Sequence, residues 1–223
     1  MKTLVALFAF VTLAISIQAQ NMWGFNAKVY QTKGDFNKNV EAVPVGFSFN
    51  FLRGVNEKFA IGAELGIAMY ANNEYEYETS SGPITIFEED CFWTFHGDFR
   101  YFFYRTPTLK AYLQARLGLT TFFSSRTPEE ETPEFRETFD FHGTAFNTGL
   151  GGGMLINCKS LFKKQPGSLN LDLGVALHSG SSTDYRYMGE GSQSVSLDDG
   201  IYQSVTNYID YRIGFVFVPE WRD

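Results

Sequence analysis

The chain has 223 residues with 23 Phe, 12 Tyr, 21 Gly and only 2 Cys, and a formal net charge of −7. Such a length supports one sizeable domain, and aromatics and glycine in excess with little helical patterning favour an all-β fold. The acidic balance disfavours nucleic acid or other polyanions as partners.

In chain order, the first feature is "MKTLVALFAFVTLAISIQAQ". It reads as a secretory signal peptide over residues 1–19. Lys2 gives the positive n-region, Leu4 to Ile17 the apolar stretch, and Ala19 a small residue for cleavage before Gln20. No Cys sits at that point to accept a lipid anchor. Residues 20–223 then form one domain.

Read with period 2, that domain gives eight strand segments, near 22–31, 43–52, 59–70, 91–104, 109–122, 144–157, 168–178 and 205–218. One parity is apolar throughout. It runs through Trp23, Phe25, Ala27 and Val29, then Phe47, Phe49 and Phe51, and ends with Ile213, Phe215 and Phe217. The other parity is small or polar, rich in glycine such as Gly62, Gly66, Gly149, Gly151, Gly153 and Gly174. It also carries four bases and four acids: Lys28, Arg100, Arg116 and Arg212 with Glu64, Asp98, Asp172 and Asp210.

The connections alternate in length. "RGVNEK", "RTPT" and "CKSLFKKQPG" are short, whereas the third, fifth and seventh segments are followed by links near 20 residues long. Transmembrane β-barrels have this layout, with short periplasmic turns and long extracellular loops. A soluble ligand-binding barrel also alternates. Its water-facing parity would be rich in Lys, Glu and Thr, however, whereas here the polar parity is rich in glycine. Aromatics gather at both segment ends, with Trp23, Phe51, Phe59 and Phe103 at one edge and Tyr30, Trp93, Phe123 and Phe146 at the other. Two interfacial girdles have that form. The predicted fold is therefore an all-β, eight-stranded, antiparallel up-and-down transmembrane barrel in the cell outer membrane. Its apolar parity faces lipid and its eight charges pair inside a filled lumen, because an unpaired charge out of water is costly. Glu64, between Gly62 and Gly66, is expected to meet Arg100 or Arg116.

The stretches "VGFSFNFL", "FAIGAELGIAMY", "FHGDFRYFF", "LKAYLQARLGLTTFF" and "NTGLGGGMLI" resemble the outer-membrane β-barrel domain family of Bacteroidetes-type Gram-negative bacteria. The resemblance implies a small barrel of the OmpA/OmpX kind and no reaction. "YRIGFVFV" is similar to the terminal strand that barrel-assembly machinery recognises, although Pro219 and "EWRD" follow it.

Some small outer-membrane barrels are lipid A deacylases or acyltransferases, so the histidines bear on function. His96 lies on the inward parity, and His142 is expected at a loop end. His178 lies near Ser179, Ser181 and Asp184, which would form a hydrolytic set if brought together. The leading expectation is a non-enzymatic protein with no catalytic residue, no metal and no cofactor. It would act as a scaffold or interaction module through its acidic loops or periplasmic rim, as part of a larger envelope complex. A lipid-modifying enzyme and a small diffusion pore are the alternatives. Expected partners are outer-membrane lipids including lipopolysaccharide, the assembly machinery and other envelope proteins.

Sixteen acids fall in the three long links, among them Glu74, Glu88, Asp90, Glu129 and Asp198, against Arg126, Arg136 and Arg186, a formal −13. They are expected to be solvated, or to bridge divalent cations to lipopolysaccharide. Arg53, Lys58, Arg105, Lys159, Lys163 and Lys164 collect at the short-turn side. Cys91 and Cys158 fall at opposite barrel ends, too far apart for a disulfide. "GLGGGM" lacks the phosphate-loop pattern and reads as a strand packed over bulky lumenal side chains.

Overall fold

The computed structural model describes residues 20–40, 42–79, 82–129, 139–158, 168–186 and 201–218. The predicted signal peptide, most of the acidic residues of the fifth and seventh links, Lys159, Lys163, Lys164 and the "EWRD" tail lie outside them.

Eight strands close into an antiparallel barrel: β1 (Asn21–Lys33), β2 (Val45–Gly54), β3 (Phe59–Thr79), β4 (Gly82–Arg105), β5 (Leu109–Pro128), β6 (Phe139–Asn157), β7 (Ser168–Gly180) and β10 (Asn207–Val218). Each pairs with its neighbour in sequence, and β1 pairs with β10 to shut the ring, with Ala27 opposite Ile213 and Lys28 opposite Arg212. Closure removes the open edges that a lipid environment cannot tolerate. The strands that form the ring follow the predicted segments, and the period-2 pattern sets their facing. In β1 every second residue is buried, from Met22 to Thr32.

The outward parity makes a continuous apolar belt. Phe25, Leu117, Leu150 and Phe215 are all at least half exposed, at 58%, 50%, 71% and 51%. On a protein bathed in water such a patch would be far larger than monomers carry. No helix among the described residues is long and apolar enough to cross a membrane; the strands do the crossing, and this is an outer-membrane β-barrel. In β4 the belt runs from Trp93 to Phe103, close to the roughly 9–11 residues that a tilted strand needs to span a bilayer. Trp23, Phe59, Tyr101 and Phe103 ring the short-turn edge, with Trp23 against Phe51 at 4.4 Å and Phe59 against Tyr101 at 4.9 Å. Trp93, Phe123 and Phe146 mark the other. Tyr30, expected in that outer girdle, instead points inward and is 1% exposed. It sits one position past Val29, so the strand's own alternation turns it into the lumen.

The outer end departs from the predicted segments. β3 and β4 continue beyond the belt as a paired hairpin, Ala71 opposite Asp90 through to Thr79 opposite Gly82. β5 and β6 extend similarly, as far as Arg126 opposite Phe139. The third link is thus mostly strand: "GPITIFEED" keeps the alternation of β4, whereas a bulge between Met69 and Ala71 shifts that of β3 by one residue before "NNEYEYET". His142, expected at a loop end, lies within β6 opposite Phe123. Two further elements were not predicted: a short helix α1 (Gly34–Asn39), and a small hairpin of β8 (Ser182–Arg186) with β9 (Ile201–Val205). α1 begins at Gly34, whose φ of +63° lets the chain turn inward over the barrel mouth.

Several glycines follow from the tight curvature of eight strands. A Cβ on Gly149 would lie 2.8 Å from the ring of His178, and one on Gly174 would lie 2.7 Å from the Arg212 guanidinium. Gly62 and Gly66 are set by neighbouring strands and not by a lumenal guanidinium. Gly62 lies against the backbone of Phe51 and Leu52 on β2, and Gly66 faces the Thr94 hydroxyl.

Candidate functional site

Among the described residues, the lumen is where the sequence gathers chemistry-bearing groups away from water, and it is filled in layers. At the short-turn end, Met22, Leu52, Phe102, Tyr112, Leu155 and Val216 form an apolar floor. Above it lies the charged layer. All eight charged residues picked out by parity face this lumen and are at most 4% exposed.

They divide into two linked clusters. In the first, Lys28 donates to Glu64 at 2.5 Å and to Asp210 at 3.1 Å. Arg116 donates to Asp210 at 2.5 Å and to Glu64 at 2.9 Å. Two cations and two carboxylates therefore close a four-membered ring spanning β1, β3, β5 and β10. In the second, Arg100 lies between Asp172 at 3.1 Å and Asp98 at 3.2 Å, while Arg212 approaches Asp172 at 3.5 Å. Tyr112 donates to Asp172 at 2.5 Å, and Arg212 in turn donates to Tyr112 and to the Gln114 side-chain carbonyl. The Arg100 guanidinium also lies over the Tyr112 ring, 4.6 Å from its centroid. Asp98, 4.0 Å from Arg116 Nε, joins the clusters. Glu64 thus meets Arg116, one of its two expected arginines, together with Lys28, which was not named for it. Arg100 belongs to the other cluster. Equal numbers of each sign satisfy a space where bare charge could not be solvated.

His96 and His178 stand next to the first cluster with ring centroids 5.2 Å apart. His178 stacks on Tyr208 at 4.5 Å and its Nε2 is 3.3 Å from Asp210. The hydrolytic set considered from sequence is not assembled. Ser179, Ser181 and Asp184 are exposed while His178 is 1% exposed. Ser179 is the next residue on β7 and faces the opposite way. Ser181 accepts the Phe146 N–H at 3.0 Å, and Asp184 belongs to the β8–β9 hairpin. The carboxylate that His178 does reach, Asp210, is already held by Lys28 and Arg116.

Above the charges is a lid that the sequence reading missed. Phe36 of α1 inserts among barrel and hairpin aromatics, with Tyr185 at 4.9 Å and Phe122 at 5.6 Å. Tyr30, Tyr70, Phe92 and Tyr208 complete the cluster. Hydrogen bonds fasten the hairpin: Asn39 donates to Tyr185 at 2.9 Å, and Tyr70 donates to the Arg186 carbonyl at 2.9 Å. The available signal was Phe36 itself, a lone large apolar side chain in the polar link "KGDFNKN".

Two acids read as solvated loop residues are also enclosed. Glu88 and Asp90 face inward on the outer extension of β4, both at 0% exposure. Glu88 pairs with Arg126 at 3.1 Å. Burial, reinforced by Glu88, pushes the Asp90 carboxyl up to about 8. Burial likewise raises Glu88, against the pull of Arg126. These positions continue the inward parity of the membrane-spanning part, which the reading of the segment as a loop concealed. Cys91 and Cys158 are both free thiols. Among the described residues no group of three or more His, Cys, Asp and Glu is placed to hold a metal.

No protein-family model matches the chain, and neither does any curated protein sequence. The chain is similar to several solved outer-membrane barrels. Neisserial surface protein A is 14% identical over 92% of this chain and 99% of its own, with a TM-score of 0.48. Ail, the attachment invasion locus protein of Yersinia pestis, solved with the heparin analogue sucrose octasulfate, is 10% identical over 90% and 97%, with a TM-score of 0.46. A major outer membrane protein from Thermus thermophilus is 12% identical over 89% and 98%, with a TM-score of 0.45.

Proposed function

We propose that this outer-membrane barrel is a non-enzymatic scaffold or interaction module. It engages envelope partners through its acidic outer surface or its periplasmic rim, and neither transports solute nor modifies lipid. The observation that supports this reading is the double closure of the lumen. A layer of paired charges lies beneath a layer of packed aromatics, so the chemistry inside the barrel is committed to itself. What remains for recognition is outside the ring. The β3–β4 extension presents Glu74, Glu76 and Glu89 to solvent, and the short-turn rim presents Lys58 and Arg105. On this reading the barrel belongs to the Bacteroidetes-type outer-membrane barrel family, which stretches such as "VGFSFNFL" and "FAIGAELGIAMY" resemble. Lipopolysaccharide and other envelope proteins are the proposed partners.

The test has two arms. Purified protein in a planar bilayer is expected to give no stepwise current at about 100 mV, a driving force of roughly 2.3 kcal/mol per elementary charge, and regular conductance steps would overturn the closed-lumen reading. Mild-detergent extraction after in-cell crosslinking is expected to recover the barrel with envelope proteins in fixed ratio. Recovery of the barrel alone, together with altered lipid A acylation on its deletion, would favour the enzyme.

A further inference from the structure

The short-turn mouth carries two bases that the lumenal network does not use. Arg105 ends β4, Lys110 lies near the start of β5, and the register sets them directly opposite each other. The inward parity of β4 runs through His96, Asp98, Arg100 and Phe102, so unbroken alternation would turn Tyr104 inside and Arg105 out. A bulge between Phe102 and Tyr104 prevents this. Phe103 and Tyr104 both face outward, at 58% and 50% exposure, and Arg105 turns into the mouth beside Lys110. Bulges re-aim side chains in this way next to functional sites. Like charges at facing positions weaken a strand pair, so the bulge creates a repulsion that has no use in the barrel itself.

The turn between them keeps the pair in place. Thr106 N–H donates to the Leu109 carbonyl at 2.7 Å, and the Thr106 hydroxyl accepts the Leu109 N–H at 3.0 Å. Lys110 is half-buried and, among the described residues, has no hydrogen-bond or ion-pair partner. Burial and Arg105 push its ammonium down from the ordinary range. Arg105 donates to the Glu57 carbonyl and lies 3.5 Å from the Glu57 carboxylate, whose side chain is 93% exposed. A carboxylate therefore suits this guanidinium, and the one present leaves Lys110 unserved. The two bases and Glu57, with Met22 and Phe102 of the apolar floor, line one cavity of about 200 Å³ inside the mouth. That is below the roughly 300 Å³ at which small-molecule pockets begin, and it suits a single inserted side chain.

We propose that this cavity is a socket for an aspartate or glutamate side chain of a periplasmic protein, with its carboxylate between Lys110 and Arg105 and its methylene stem on Met22 and Phe102. The proposal rests on the reading of the barrel as an interaction module and names the chemistry of its partner at the periplasmic rim. Charge complementarity selects an acid. The cavity offers two cations against one exposed carboxylate, and exposed Lys58, next to Glu57, adds positive charge at the rim. Position selects a protein over a membrane lipid, because the strand wall stands between the mouth and the lipid-facing belt. An incoming carboxylate satisfies Lys110, takes the Arg105 guanidinium over from Glu57 and offsets the repulsion across the β4–β5 pair.

The experiment is timed acetylation of the full barrel in detergent, with modification of Lys110 and Lys58 read by mass spectrometry. Only the neutral amine reacts, and a bound carboxylate that raises the Lys110 pKa by one leaves about tenfold less of it. Acetyl-Phe-Asp-amide at saturation is therefore expected to slow Lys110 about tenfold and to leave Lys58 nearly unchanged. Acetyl-Phe-Asn-amide, which lacks the charge, should protect neither. R105Q should weaken the protection, and E57Q, which removes the competing carboxylate, should bring it on at lower peptide concentration. Equal Lys110 rates with the two peptides would overturn the socket. So would a Lys110 already shielded in the peptide-free barrel and released in E220Q/D223N, which would assign the cavity to the chain's own tail. In cells, R105Q/K110Q that still migrates as a folded barrel on an unheated gel is expected to lose one crosslinked envelope protein, and an acid-to-amide substitution in that protein should reproduce the loss. An unchanged set of crosslinked proteins would overturn the socket and leave the interaction module standing. The absence of any crosslinked protein in the wild type would overturn both.

Discussion

Glu64 and Arg116 meet across the lumen, with Arg116 Nη2 2.9 Å from one Glu64 oxygen while Lys28 Nζ holds the other at 2.5 Å. Neither partner is adjacent to Glu64 in the sheet; its register neighbours are Asn50 and His96. The carboxylate is a cross-barrel brace. Removing it leaves two enclosed cations sharing Asp210. Breaking a buried pair by deleting one partner costs about 3–5 kcal/mol, whereas removing both partners costs much less. E64Q is therefore expected to lower the unfolding free energy by about that amount, read from urea titration of gel-shift migration in detergent. K28M/E64L should recover part of the loss. An E64Q barrel as resistant to urea as the wild type would show that the ring contributes nothing.

The lumenal charges were legible because a strand's alternation is a strict two-residue rule, so identifying the lipid-facing parity assigns every opposite residue to the interior. Pairing was not legible to the same degree. Which cation meets Glu64 depends on side-chain reach across the ring, and Lys28 on β1 and Arg116 on β5 are distant in sequence. Phe36 and Tyr185 escaped for another reason. They cap the mouth from a six-residue helix and a five-residue strand, too short for any period to declare itself. Glu88 and Asp90 escaped because a charged segment reads as loop even when it continues a strand's alternation.

The belt makes its own prediction about depth. Leu117 lies opposite Gly97, midway between Trp93 and Tyr101 on β4. An arginine there must leave its head group in hydrocarbon, at a cost of about 2–4 kcal/mol, against roughly 0–1 kcal/mol near an interface. L117R is expected to be strongly destabilising in urea-driven unfolding from vesicles, and F103R at the girdle much less so. Equal costs would mean that Leu117 is not at mid-membrane.

The aromatic lid should be separable from the barrel beneath it. Phe36 is 1% exposed, and truncating a buried Phe to Ala costs about 3–5 kcal/mol. This loss falls on the docking of α1 and the β8–β9 hairpin, since the barrel closes by strand pairing without them. F36A is expected to expose the hairpin to brief trypsin treatment while the unheated protein still runs as a folded barrel. Y185F removes the phenol shared by Asn39 and Ser204, each at 2.9 Å, and should give a milder form of the same sensitivity, about 1 kcal/mol per hydrogen bond. Loss of barrel migration in F36A would place the lid within the cooperative core.

Asp90 makes the outer extension sensitive to alkali. Its carboxyl, ordinarily near 3.8, is pushed up to about 8 by burial and by Glu88, and Glu88 shifts in the same direction. An acid whose folded pKa is raised holds its proton more tightly folded than unfolded. Stability then falls as pH rises from the unfolded value through the folded one, and levels off above it. The window runs from about pH 4 to a little above pH 8. Proteolysis of the β3–β4 extension should therefore accelerate on going from about pH 5 to about pH 9, with the membrane-spanning ring unaffected. D90N cannot ionise, so its cleavage rate, corrected for protease activity on an unfolded control, should be much flatter over that range. The residual slope measures Glu88, and E88Q/D90N should abolish it. A D90N barrel that retains the full wild-type dependence would show that the alkaline sensitivity has its origin elsewhere.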